Sequence, residues 1–234
     1  MTTTAWYWIL FIGIALVSWL VQANLNRKFK KYSQMPLDNG MTGKDVAEKM
    51  LRDNGLDDVQ VVATRGSLTD NYNPTNQTIN LSEDVYYKSS VAAAAVAAHE
   101  TGHALQHAQA YAPLKMRSAL VPAVSFSSKW VTWILLGGMI LMGRGSHLGS
   151  SILLAGIGLF ALTTLFSFIT LPVEINASQR ALAWLSRSGI TNSYNDTAAK
   201  DALKAAAYTY VVAALGSLAT LLYYVMIFLG GRRN

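Results

Sequence analysis

Four long apolar runs constrain the fold of this chain more than any other feature of its sequence. They cover residues 5–23, 124–143, 151–171 and 207–229. A helix that crosses about 30 Å of hydrocarbon needs about 20 predominantly apolar residues. A small soluble domain would not carry four such runs, and 52% of the 234 residues are hydrophobic. We therefore predict a predominantly α membrane protein with about four transmembrane helices in a lipid bilayer.

The basic residues predict the orientation of these helices. Most of them fall between the first and second runs or between the third and fourth, whereas Arg144, Arg232 and Arg233 fall on the other side. Because Lys and Arg concentrate in cytoplasmic loops, we expect a multi-pass protein with its amino terminus outside the cell and both polar segments in the cytoplasm. A cleaved signal peptide ending near Ala23 is the alternative, but the first run lacks a basic leader and has a long apolar core.

This topology divides the chain into five segments. They are transmembrane helix 1 (1–25), a cytoplasmic segment (26–123), a transmembrane hairpin (124–172), a second cytoplasmic segment (173–206) and transmembrane helix 4 with the carboxyl terminus (207–234). The topology also accounts for the basic residues, so we expect no nucleic-acid partner.

The first cytoplasmic segment contains AHETGHALQH at residues 98–107, directly after an alanine-rich run with a serine cap candidate that favours a helix. On a helix His99 and His103 lie about 40° apart around the axis and can share one ion. Glu100 is turned about 100° from His99, so its carboxylate flanks the ion without being a ligand. This HExxH pattern is typical of zinc peptidases, in which a carboxylate takes the proton of a zinc-bound water that attacks a carbonyl.

The pattern lacks a third ligand, and the other histidines do not supply it. His107 lies about 12 Å along the helix axis from His99, too far for both nitrogens to come within about 2.1 Å of one zinc ion. A metzincin site would need glycine and histidine where this chain has Gln106 and Gln109. His147 falls in a short loop between two apolar runs, and the chain has no cysteine.

A carboxylate must therefore complete the site, and the chain offers Glu174, Asp196 and Asp201 after the motif. Glu174 stands at the end of the third apolar run, where a lone charge is costly unless it has a partner. Asp196 and Asp201 stand in a polar stretch that indicates a solvated helix start. We predict Glu174 as the third ligand of one Zn²⁺ per chain; the alternative is a charge that marks the end of a membrane helix.

The polar segment before the motif predicts a helix and a short sheet. Residues 41–56 have the periodicity of an amphipathic helix, with Thr42 as its cap and Gly55 as its stop. Residues 59–63 and 77–81 indicate short strands around a turn-rich stretch.

One of these strands is a candidate for binding substrate. Metallopeptidases commonly hold an extended substrate against an edge strand through backbone hydrogen bonds. We predict that this edge consists of Thr78, Ile79, Asn80, Leu81 and Ser82. The alternative is an ordinary strand that packs on the motif helix.

The ordered set of motifs resembles the YugP-type family of membrane zinc metallopeptidases, distant relatives of the heat-shock and prenyl-protein membrane proteases. The resemblance covers nearly the whole chain and rests on GLDDVQV, GSLTDNYNPTNQTINLS, SVAAAAVAAHETGHALQH, LPVEINASQRAL and AAAYTYVVAALGSL. It implies a zinc-dependent endopeptidase of a bacterial cell membrane, with His99, His103 and Glu174 as ligands and Glu100 as base. The expected fold is a cytoplasmic, gluzincin-like α+β domain that acts on protein or peptide substrates associated with the membrane.

The chain departs from this family at positions near the ligands. Ser178 stands where the wider group often has an aspartate that orients a histidine ligand, and family members tend to have aspartate in place of Asn176 and Asn73. Neutral side chains support histidine ligands more weakly than a carboxylate does. Ser178, Asn176 and His107 are our candidates for contacting the ligands, and His107 could instead face lipid headgroups.

The group that steadies the oxyanion of the transition state is left open by the sequence. Several side chains can donate a hydrogen bond to it, namely Tyr72, His107, Arg180, Tyr208 and Tyr210.

Two other functions are also open. A site-2-type intramembrane protease would bury HExxH within a membrane span, which the flanking Lys88, Gln106 and His107 disfavour. A non-catalytic zinc-binding membrane protein would have a closed metal site, in which Glu100 would have no use.

Overall fold

A computed structural model describes residues 3–231; Arg232 and Arg233, which entered the orientation argument, lie outside the described residues. The elements of the described part, in chain order, are α1 (Thr3–Tyr32), α2 (Gly43–Asp53), β1 (Gln60–Thr64), β2 (Asn71–Asn73), β3 (Thr78–Ser82), α3 (Glu83–Tyr86), α4 (Val91–Ala108), α5 (Ala112–Gly143), α6 (His147–Arg187) and α7 (Ser193–Gly231). The protein is thus mostly helical with a small three-stranded sheet.

Four helices are long and apolar enough to cross a membrane, as the apolar runs predict. They are α1, α5, α6 and α7. All four continue beyond the apolar runs into charged sequence, because Lys and Arg are good helix formers. α6 also passes through Pro172, so Glu174 lies on the same continuous helix as the third apolar run.

The chain forms two compact units. The first contains the described residues up to Trp19, Met116–Leu171 and the described residues from Tyr210 onwards. In this unit α5 and α6 pack closely, because Gly138 has no side chain to separate them. A Cβ at Gly138 would lie 2.6 Å from the backbone nitrogen of Leu153. The Ser127 hydroxyl also donates to the carbonyl of Leu159 at 2.9 Å.

The second unit contains Leu20–Lys115 and Pro172–Thr209. Its helix α2 begins at the predicted cap: Thr42 and Asp45 exchange side-chain to backbone hydrogen bonds in a capping box. Gly55, the predicted stop, follows with a φ of +68°. Ser90 caps the start of helix α4, where its hydroxyl accepts from the backbone N–H of Ala93 at 3.2 Å. Its alanines are buried in the core of this unit, and the helix packs against α2.

The sheet differs from the prediction. Its order is β1-β3-β2, with β1 parallel and β2 antiparallel to β3. Part of the stretch predicted as turn forms β2, because the Asp70 carboxylate accepts hydrogen bonds from the backbone and hydroxyl of Ser82 at 2.7 and 3.0 Å and fixes the start of that strand. Burial raises the pKa of Asp70. The strand Thr78–Ser82 is therefore central, and the prediction that it forms the edge is wrong.

Candidate metal centre

Helix α4 carries both histidines of the HExxH motif on one face. The rings of His99 and His103 are 4.8 Å apart between centroids and nearly perpendicular to each other. Helix α6 brings the Glu174 carboxylate to the same point, where its Oε2 lies 3.3 Å from His99 Nε2 and 3.5 Å from His103 Nε2. Two side chains from successive turns of α4 and one side chain from α6 therefore meet in a single small volume.

This convergence fits a zinc ion. The ligand atoms of His99, His103 and Glu174 all lie within 4.8 Å of one another. A tetrahedral zinc ion with bonds of about 2.0–2.2 Å separates its ligand atoms by about 3.3–3.6 Å. The two separations between histidine nitrogen and Glu174 oxygen match this edge length, and the third is at most 4.8 Å, so the three residues could hold zinc once the two histidine nitrogens are adjusted to the ion.

The electrostatics of the group also favour a cation. Glu174 is only 3% exposed, and a buried carboxylate is stable only with a positive or hydrogen-bonding partner. Burial acts to lower the pKa of His103, but the hydrogen bond with Glu174 and the charges of Glu100 and Glu174 outweigh it and raise that pKa. The carboxylates thus stabilise positive charge at the position of the imidazole nitrogens.

Glu100 lies beside the group of three without belonging to it. Its side chain is buried, and its Oε2 accepts a hydrogen bond from the backbone N–H of Tyr72 at 3.0 Å. Tyr72 is the middle residue of β2, so the short strand and the motif helix meet at this carboxylate. The contact fixes one oxygen of Glu100 and leaves the other available for a proton.

The three residues predicted to contact the ligands have different surroundings. Ser178 Oγ lies 3.1 Å from His99 Nδ1. Asn176 lies one step further away, where its Oδ1 accepts from Arg180 Nε at 2.7 Å and from Gln106 Nε2 at 3.0 Å. His107 is exposed, and its Nδ1 lies 3.1 Å from the hydroxyl of Tyr72.

Gln106 is the residue near the ligands that sequence reasoning missed. It is fully buried, and its Oε1 lies 3.0 Å from His103 Nδ1. The signal was its position three residues after His103, which places the two side chains on one face of a helix. In the sequence Gln106 served to exclude a metzincin site and to disfavour a motif buried within a membrane span, and not as a partner of a ligand.

The other candidate ligands are engaged elsewhere. Asp201 accepts from Lys28 Nζ and from the Tyr32 hydroxyl, each at 2.6 Å. Asp196, in the first turn of α7, accepts from the hydroxyl of Thr191. Both carboxylates therefore have partners that do not involve the histidines.

The side chains predicted as possible hydrogen-bond donors to the oxyanion lie in different parts of the fold. The hydroxyl of Tyr72 is directed to His107, about two helical turns beyond Glu100. The guanidinium of Arg180 donates to Asn176 and to Gln109. Tyr208 and Tyr210 lie on α7, where the Tyr208 ring faces Lys204. None of these contacts identifies the donor.

Comparisons with known proteins agree with the geometry of this group. The family model described as "Putative neutral zinc metallopeptidase" matches residues 7–229. A protein of Bacillus subtilis (strain 168), "Putative membrane protease YugP", is 43% identical over 227 residues, which cover 95% of this chain and 97% of that protein. No solved structure shows a significant match. The chain therefore belongs to the YugP-type family of membrane zinc metallopeptidases.

Proposed function

We propose that this protein is a membrane-embedded zinc endopeptidase that hydrolyses protein or peptide substrates at the cytoplasmic face of the membrane. The observation that carries the proposal is the convergence of His99, His103 and Glu174, with a second carboxylate, Glu100, directly beside them. A structural zinc site has no need for that second carboxylate, whereas hydrolysis needs a proton acceptor. Family membership supports the same reading.

In this mechanism the two histidines and Glu174 would hold one Zn²⁺, and the bound ion would supply Lewis acidity for the scissile carbonyl and for a water molecule. Glu100 accepts a proton from the attacking water and returns it to the leaving nitrogen. The N–H of Tyr72 donates to one Glu100 oxygen and so orients the carboxylate. Ser178 supports His99 through the contact between Oγ and Nδ1.

Strand β2 is our proposed substrate edge in place of β3. It pairs with β3 on one side only, and its Tyr72 N–H is directed to Glu100 on the other. A substrate that extends along this edge would pair through backbone groups other than the Tyr72 N–H, which already donates to Glu100, and would pass the base and the metal together. Because β2 is only three residues long, we expect the enzyme to recognise a short extended segment.

The proposed location follows from the sequence. Charge asymmetry supports the cytoplasmic placement of segments 26–123 and 173–206, and they would fold together as the gluzincin-like α+β domain between the membrane segments 1–25, 124–172 and 207–234. Helix α4 is not among the helices suited to cross a membrane in the described part. This favours an active site outside the hydrocarbon over a site-2-type intramembrane site, and substrates that lie near the membrane surface.

The test is a metal analysis and a cleavage assay on one detergent-purified preparation. A quenched fluorescent peptide with both termini blocked reports internal cleavage only. We expect about one zinc per chain, loss of cleavage when a chelator removes it, and recovery on adding zinc back. Full cleavage by metal-free protein would contradict the proposal. Bound zinc without cleavage of a broad set of peptides and membrane proteins would favour the non-catalytic alternative.

A further inference from the structure

Gln106 uses every hydrogen-bonding atom of its side-chain amide. Its Oε1 lies 3.0 Å from His103 Nδ1, and its Nε2 lies 2.8 Å from the carbonyl oxygen of Val173 and 3.0 Å from Asn176 Oδ1. The side chain is 0% exposed. A buried amide without these partners would lose its hydrogen bonds to water and gain none in return, which is unfavourable. These contacts therefore define how the amide must be oriented.

The orientation of the amide determines where the proton of His103 lies. A backbone carbonyl can only accept, so the NH₂ group of Gln106 must face Val173. The carbonyl oxygen of the amide then faces His103 Nδ1, which must donate to it. In the neutral imidazole the other nitrogen, Nε2, consequently carries the lone pair. This is the nitrogen that faces Glu174 at 3.5 Å.

We propose that Gln106 is a positioning residue that fixes His103 in the Nδ1–H tautomer and ties it to α6 at Val173, the residue before Glu174. The inference rests on the proposed zinc site, but it concerns the protein before metal binds. When His103 is neutral, its Nε2 and Oε2 of Glu174 are both acceptors, so their approach to 3.5 Å needs a cation between them, either a proton on Nε2 or the metal ion. Gln106 thus aims two ligands at one point.

The other histidine ligand is held differently. Ser178 Oγ contacts His99 Nδ1, and a hydroxyl can donate or accept, so it does not select a tautomer. Asn176 accepts a hydrogen bond from the Gln106 amide through its Oδ1. The same oxygen accepts from Arg180 Nε at 2.7 Å, which holds the Asn176 side chain in this orientation. Of the two histidine ligands, only His103 therefore has its tautomer selected by a neighbouring side chain, the uncharged amide of Gln106.

Nitrogen NMR of the zinc-free protein tests the tautomer directly. The chain has four histidines, so selective ¹⁵N-histidine labelling gives few signals, and a His103→Gln spectrum identifies the relevant pair. At a pH high enough to make His103 neutral, we expect the Nδ1–H form in the parent and redistribution towards the Nε2–H form in Gln106→Leu. Gln179→Leu, the same change at an exposed position on α6, should leave the spectrum unchanged. An Nε2–H tautomer in the parent would overturn the proposal.

Zinc affinity, measured by chelator competition, tests the consequence. Loss of a group that orients a metal-binding histidine typically weakens binding about 10- to 100-fold, and we expect this for Gln106→Leu with little change for Gln179→Leu. Gln106→Glu keeps an acceptor for His103 but loses the donor to Val173 and Asn176, so it should bind zinc more tightly than Gln106→Leu and more weakly than the parent. If Glu fails as badly as Leu while both variants melt early, Gln106 is a structural link only and the proposal is wrong.

Neither measurement depends on peptide cleavage. A protein that cleaves no substrate but has the expected tautomer and affinity pattern would contradict the proposed function and support the role of Gln106. An active enzyme whose zinc affinity is unchanged in Gln106→Leu would support the proposed function and contradict the role of Gln106.

Discussion

Gly102 lies directly against the backbone of Ala177. A Cβ at Gly102 would lie 2.7 Å from the carbonyl oxygen of Ala177 and 3.2 Å from its Cα. Gly102 is the residue before His103, and Ala177 is three residues after Glu174, so this contact occurs where α4 and α6 bring the candidate ligands together. The missing side chain allows the two helices to approach closely enough for one ion to bind residues of both.

Gly102→Ala should therefore separate the ligands. The added methyl group meets backbone atoms, which cannot rotate away, so α4 and α6 must move apart. Overpacking of this kind costs about 1–3 kcal/mol of folding stability, and we expect lower zinc content and an earlier thermal transition. Gly137→Ala is the matched control, because a Cβ there would have nothing within 4 Å. Parental zinc content and melting in Gly102→Ala would contradict the argument.

Glu174→Gln should abolish stoichiometric zinc binding, because the amide is a much weaker ligand than the carboxylate and leaves the site with less negative charge. Asp201→Asn is the matched change at a carboxylate that pairs with Lys28. Its ion pair is partly exposed and contributes about 0–1 kcal/mol, so zinc content should stay at the parental level. Metal analysis of both variants is the measurement. Zinc loss in Asp201→Asn with full retention in Glu174→Gln would show that the ligand assignment is wrong.

Glu100→Gln should reduce peptide cleavage by about 10²- to 10⁴-fold, the usual contribution of a general base. The amide oxygen still accepts from the Tyr72 N–H, so we expect zinc content and melting close to those of the parent. Cleavage rate, zinc stoichiometry and melting are measured together on one preparation. Undiminished cleavage would refute the role of base, and zinc loss in step with activity would assign Glu100 to the structure of the site.

The proposed topology can be tested with single cysteines, since the chain has none of its own. Asp57 is exposed in the loop before β1, and His147 is exposed at the start of α6. With the amino terminus outside, a membrane-impermeant maleimide should label His147→Cys in intact cells and Asp57→Cys only after permeabilisation. The reverse pattern would place the candidate metal centre outside the cell.

The sequence by itself determined the features that depend on local spacing. Apolar runs of sufficient length predicted the four long helices, and Thr42 predicted the start of α2. The four-residue step from His99 to His103 placed both rings on one face because the helical repeat is close to that step. Glu174 could be predicted by elimination because few other ligand types follow the motif.

Only the tertiary structure decided the features that depend on distant contacts. The central position of β3 follows from the Asp70 carboxylate that fixes β2 to Ser82 twelve residues away, and no local pattern encodes that pairing. Gln106 reaches Val173 across 67 residues of sequence, and Ser178 reaches His99 across 79. Such contacts depend on how closely α4 and α6 pack, and the absence of a side chain at Gly102 permits this close packing. Spacing along one helix determines which side chains share a face, whereas the approach of a second helix determines what they touch.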